Sequence, residues 1–128
     1  SNLDLFKETI HILSKLDNVI ILLKPHYITD MNIVNLEISK YPDMDIDITY
    51  VHPLVASKHV SFFIANFYSL ALHFAKLNNK PVIEYTDYSQ ETLECTSEGP
   101  IGEDLVDYFF LKGREDDLLQ AARKLISH

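Results

Sequence analysis

With a single cysteine, Cys95, the chain can form no internal disulfide, and zinc sites built on cysteine pairs are excluded. Glycine is almost as scarce, at positions 99, 102 and 113 alone, so the glycine-rich phosphate loops of dinucleotide and ATP sites are absent. No Gly-x-Ser-x-Gly elbow and no His-Glu-x-x-His pair occurs, and no tight His/Asp/Glu cluster suggests a metal, so none is expected. There is no run of about 18 apolar residues, hence no expected transmembrane segment. Basic residues are also few: 11 Lys and Arg stand against 19 Asp and Glu, a formal charge of -8. Nucleic acids and anionic lipid attract clustered Lys and Arg, so nucleic acid is not an expected partner and any phosphate site must be local.

What remains is a 128-residue chain, 47% hydrophobic, long enough for one domain with an ordinary core. Leu3, Phe6, Ile10, Leu13 and Leu16 recur at helical spacing, which predicts a helix over 3–16. The unbroken apolar run at 19–23 predicts a strand buried on both faces. Thr29 or Asp30 can cap a helix that Tyr41-Pro42 stops. The alternation at 45–51 predicts a more polar strand, and a short turn of helix follows from Pro53. Further strands are expected at 60–65 and 82–86, around a helix at about 67–78, and a short one at 106–111. Residues 87–104 are expected to be a long loop, and Glu115-Asp116-Asp117 to open the last helix. The regular alternation predicts an α/β fold: a three-layer, Rossmann-like, doubly wound sheet, mainly parallel, of about five strands.

Candidate chemistry lies where strands end, since open parallel sheets bind ligands at their carboxyl edge. Lys24-Pro25-His26 follows the strand at 19–23 and offers a point charge from Lys24 and a directional donor from His26; the plain alternative is a solvated lysine and a histidine bonding a loop carbonyl. Asn66, Tyr68 and Ser69 fall where the helix at 67–78 should open, where free backbone N–H groups favour an anion; Asn66 or Ser69 can equally be a plain cap. His52 ends another strand and either lines the same cleft or introduces the turn at Pro53. His59 and His73 read as structural, and Glu84 and the carboxylates of 87–104 as candidates for acid/base work or as a solvated acidic face.

These segments carry a resemblance. VIILLKPH at 19–26 is similar to a "viiKpHP" segment, and FFIANFYSLALHFAKLNNKPVIEY at 62–85 to a "strand, Ser-Ser, helix, Gly-Lys-Pro-Val-Ile" block. Both belong to the C-terminal, nucleotide-binding half of GT-B glycosyltransferases, particularly those of bacterial capsule and surface polysaccharide biosynthesis, with the UDP-N-acetylglucosamine 2-epimerases as relatives. The resemblance covers nearly the whole chain. It implies that Lys24, His26, Tyr68 and Ser69 contact the donor diphosphate. GPIGEDLV at 99–106 resembles a Pro-Glu-Leu-Val type donor loop, which adds Glu103. Four positions depart from the pattern: Tyr27 replaces the second proline, Tyr68 the first serine, Asn79 the glycine, and Phe74 the glutamate that commonly holds the donor ribose.

The expectation is therefore one Rossmann-like domain over 1–128 that binds a nucleotide diphosphate or monophosphate sugar as donor substrate, without a cofactor. Because the chain opens on a helix rather than a strand, it is expected to be a fragment of a two-domain protein. The acceptor and general base then belong to a missing N-terminal domain, the fragment alone is inactive, and any peripheral membrane association runs through the missing part. The lone cysteine and the lack of a signal-peptide pattern suggest a cytoplasmic location. Rival readings are the half of a UDP-sugar 2-epimerase, a non-catalytic α/β binding module and, last, a receiver-like signalling domain.

Overall fold

The computed structural model describes residues 2–25 and 29–127. Five short strands alternate with helices in chain order: α1 (Asn2–Leu13), β1 (Ile20–Leu23), α2 (Met31–Ile38), β2 (Asp45–Ile48), α3 (Pro53–Ala56), β3 (Phe63–Ala65), α4 (Ala71–Leu77), β4 (Val82–Thr86), α5 (Gln90–Cys95), β5 (Tyr108–Leu111) and α6 (Glu115–Ile126). Every strand pair is parallel, as short apolar strands joined through helices require. The strands form two sheets, β1-β2 and β3-β4-β5, rather than one continuous one. The fold is α/β and Rossmann-like.

β4 organises the molecule. All five of its residues are buried, and successive side chains enter different cores, as the two-residue period of a strand dictates. Ile83 and Tyr85 pack with Leu5 and Ile12 of α1 and with Leu118, Ala121 and Ala122 of α6. Val82 packs on the other side with Leu72 and Ala75 of α4, bordered by Phe63, Tyr68, Leu105 and Val106. This gives three layers, with helices on both faces of the three-stranded sheet. β1 and β2 are less covered. Ile20 is 71% exposed and Leu22 37%, beside the exposed Asp45 and Asp47 with which they pair in register, so this sheet has one wet face rather than two dry ones.

Local chemistry explains the element ends. Asp30 caps α2 by accepting from the Asn32 N–H at 3.0 Å, and Pro53 sits in the first turn of α3, where its missing N–H costs nothing. After α4, Asn79 adopts φ +55°; its N–H donates to the Lys76 carbonyl and that of Lys80 to the Ala75 carbonyl. This is a left-handed helix stop of the kind glycine usually supplies and asparagine tolerates, and it turns the chain directly into Lys80-Pro81 and β4.

Several expected boundaries move. The strands expected at 45–51, 60–65 and 106–111 shorten to 45–48, 63–65 and 108–111. The helix expected from about residue 67 begins at Ala71, after a bend at 66–70 in which the Asn66 and Tyr68 side chains are engaged elsewhere. The loop expected over 87–104 contains α5, capped by Ser89, whose Oγ accepts from the Thr92 N–H at 3.2 Å.

Candidate functional site

Parallel strands bring the loops that follow them to one edge of their sheet, so residues after β3 and β4 meet. At that edge the 66–70 bend lies beside the segment running from α5 to β5. Gly102 fits against the Tyr68 ring so closely that a Cβ built there stands 3.0 Å from Tyr68 Cδ2. The Tyr68 hydroxyl is 2.8 Å from His73 Nε2, and the two rings meet edge-on at 6.0 Å. His73, expected to be structural, is thus an exposed partner of Tyr68.

Asn66 turns the other way. Its Nδ2 donates to Thr9 Oγ1 and to the Tyr85 carbonyl, both at 3.0 Å, which ties the end of β3 to α1 and β4. Ser69 is half-buried, and its carbonyl accepts the Leu72 N–H at 3.2 Å. Neither side chain caps α4, whose N-cap is Leu70. A seven-residue helix without a polar cap is a weaker anion seat than the longer one expected from the sequence.

His52 caps α3, its Nδ1 accepting from the Leu54 N–H at 3.1 Å, while its ring meets Phe74 edge-on at 4.9 Å. Phe74, where the resemblance would place a ribose-binding glutamate, is therefore packed against His52. Lys24 is exposed at the end of β1 and Glu103 is exposed beside Gly102. His26 lies outside the described residues. Contacts thus join Tyr68 to the 99–105 loop and His52 to α4, and none among the described residues joins Lys24 to either.

One carboxylate was underrated in the sequence. Glu84, at the third position of β4, is completely buried. Its Oε2 accepts the Tyr88 hydroxyl at 2.5 Å, and the Tyr88 oxygen accepts the Ile101 N–H at 3.2 Å. Its Oε1 has no hydrogen-bond partner among the described residues. Burial pushes the Glu84 carboxyl above its ordinary value, an effect partly opposed by the Tyr88 hydrogen bond. Burial and the adjacent carboxylate push Tyr88 up to about 12. The sequence carried part of the signal: Glu84 falls inside the strand expected at 82–86 and not in the loop after it.

On the opposite face of β4, the Tyr85 hydroxyl donates to Glu8 Oε1 at 2.8 Å and accepts the Gly113 N–H at 3.1 Å. Lys112 Nζ lies 3.5 Å from the other Glu8 oxygen. Two open clefts lie elsewhere. One of about 310 Å³ runs along β5 and α6, lined by Tyr108, Phe110 and Lys124 among others, and one of about 220 Å³ lies by Lys76, Lys80 and Asp107 at the amino end of β4.

Among the described residues, no group of three or more His, Cys, Asp or Glu side chains is arranged to hold a metal ion, and no helix is long and apolar enough to cross a membrane. Comparisons with family models, curated proteins and solved structures find no match to the chain.

Proposed function

We propose that the chain is the nucleotide-sugar donor domain of a glycosyltransferase-like protein of bacterial surface polysaccharide biosynthesis, acting in the cytoplasm. The observation that carries this reading is the seating of Gly102 against Tyr68, because it joins two segments that the family resemblance assigns separately to the donor. Asn79 adds support: its φ of +55° explains why glycine is usual there, so the departure from the pattern keeps the backbone the pattern needs. The donor diphosphate lies over residues 68–70, and Lys24, with His26 beyond the described residues, balances charge growing on the departing nucleotide. The acceptor and any general base come from a further domain across a cleft.

Phe74 favours a second reading. Packed on His52, it offers no acceptor for a ribose hydroxyl, which suits a non-catalytic module that keeps the sheet. Titrating the domain with UDP, CDP and CMP while following backbone amide resonances separates the two. Shifts confined to residue 24, residues 66–70 and residues 99–105 are expected of a donor site. A spectrum unchanged by all three nucleotides overturns it.

A further inference from the structure

The orphaned oxygen of Glu84 sits in a part of the fold that cannot yield. β4 is the central strand of its sheet, hydrogen-bonded on both sides, so the carboxyl cannot swing to solvent without breaking that sheet. What can move is the segment tied to it. Tyr88 stands between β4 and α5, and through its one hydroxyl it holds Glu84 on one side and the Ile101 amide, past the end of α5, on the other. The Ile101 N–H occupies the acceptor side of that hydroxyl, so its proton is committed to Glu84 Oε2. A neutral carboxyl costs less in this arrangement: Oε2 accepts, and the proton rests on Oε1 as an unpartnered but uncharged O–H. An ionised carboxyl leaves Oε1 charged, dry and without a donor, which is strongly unfavourable.

We propose that Glu84, Tyr88 and the Ile101 amide form a proton-controlled latch that fastens residues 87–105 over the carboxyl end of β4 while Glu84 is neutral and releases them when it ionises. Among the described residues no cation pairs with Glu84. In register beside it are Ala65 of β3 and Phe109 of β5, and neither titrates. Among the described residues the titratable group bonded to Glu84 is Tyr88; Tyr68 with His73 borders the core on this face, Asp107 accepts the Val82 N–H at the amino end of the strand, and Glu103 and Asp104 of the loop are exposed. Glu8, Lys112 and Tyr85 lie on the other face of β4. Burial raises the proton affinity of Glu84 in the sense the latch needs and outweighs the Tyr88 hydrogen bond, which by itself favours the ionised form; release therefore comes from water reaching the charge, not from a weaker bond. The use of the latch rests on the donor-site reading, since the fastened segment is the one seated on Tyr68. Release then uncovers the site.

The latch itself is tested without any nucleotide, so its failure and that of the donor reading are distinguishable. Amide hydrogen exchange is followed from about pH 5 to about pH 8, with protection corrected for the intrinsic rate at each pH and amides of β4 and α6 reporting the intact core. Protection of residues 88–105 in the unmodified chain should fall about tenfold or more across this range while the core stays protected. Glu84→Gln, which keeps an acceptor for Tyr88 and cannot ionise, should hold the segment closed throughout. Tyr88→Phe should leave it open at both ends of the range. Unchanged protection in the unmodified chain overturns the proposal, as does a Glu84→Gln variant that opens with pH like the unmodified chain, or a Tyr88→Phe variant that stays closed.

Discussion

The two faces of β4 each carry a tyrosine bound to a glutamate, and the surroundings give these pairs opposite characters. Tyr85 and Glu8 belong to a satisfied network: Gly113 donates to the phenol, and Lys112 stands beside the carboxylate, which keeps some contact with water. Tyr88 and Glu84 make a shorter bond of the same kind, 2.5 Å against 2.8 Å, but their carboxylate is fully buried and one of its oxygens has no partner among the described residues. Both phenols are pushed up to about 12, mainly by burial, so the tyrosines do not make the difference. The carboxylates do. A carboxylate with a cation and some solvent is a tie between elements, whereas one without either responds to protons.

Substitutions sharpen this contrast, and the largest effect belongs to the satisfied side. Tyr85→Ala removes a fully buried ring from the α1-α6 core and should cost about 3–5 kcal/mol in denaturant unfolding, as large aromatic truncations do. Tyr85→Phe keeps the ring and should cost about 1–2 kcal/mol. If the two variants are equally destabilised, the hydroxyl network rather than the ring holds that face.

On the other face, Tyr88→Phe strips Glu84 of its partner among the described residues and should cost about 1–3 kcal/mol at about pH 5, where the latch is fastened. The sign of the pH dependence follows from the raised Glu84 carboxyl. The native state keeps this proton more firmly than the unfolded chain, so stability is fully present below the ordinary value of 4.5 and is lost as pH rises through the higher native value. The two phenols act in the same sense far above, from 10.0 to about 12. Unfolding curves across the acid-to-neutral range should therefore show a loss of stability that Glu84→Gln removes. A slope that survives this substitution belongs to another group.

The smallest effect should come from Lys112→Ala. Its ion pair with Glu8 is partly exposed, so a change of about 0–1 kcal/mol, shrinking further in salt, is expected from the same unfolding measurement. A larger loss shows that the ion pair carries more of that network than the Tyr85 hydroxyl does.

The order of elements was legible because apolar runs such as 19–23 and 82–86 stand out from helical spacing, and because Asp30, Pro53 and Glu115 mark helix starts in ways local chemistry enforces. The 66–70 bend was not. Nothing within those residues says that the Asn66 amide will be taken by Thr9, 57 positions earlier, or that Tyr68 will lie under Gly102. Helix α5 was missed although Ser89-Gln90-Glu91-Thr92 carries a capping signal, because the polar residues and glycines around it have the composition of a loop.

For the candidate site, the residue types and the loops they sit on came from the sequence, while their grouping did not. Asn66 and Tyr68 are two positions apart, yet one bonds toward α1 and the other packs on the segment before β5. Phe74 is read from the sequence as a helix residue; that His52 packs against it emerges from the docking of α3 on α4.

By itself the sequence determined an α/β chain of parallel strands, since hydrophobic period, caps and breakers are local properties that act within a few residues. It also determined the acidic charge and the lack of cysteine-rich or glycine-rich chemistry. The tertiary structure decided which carboxylate would be dry. Glu8 and Glu84 are the same residue type, and their difference depends on how far water reaches and on whether a cation such as Lys112 arrives from another part of the chain. Those are properties of packing, and no local pattern encodes them.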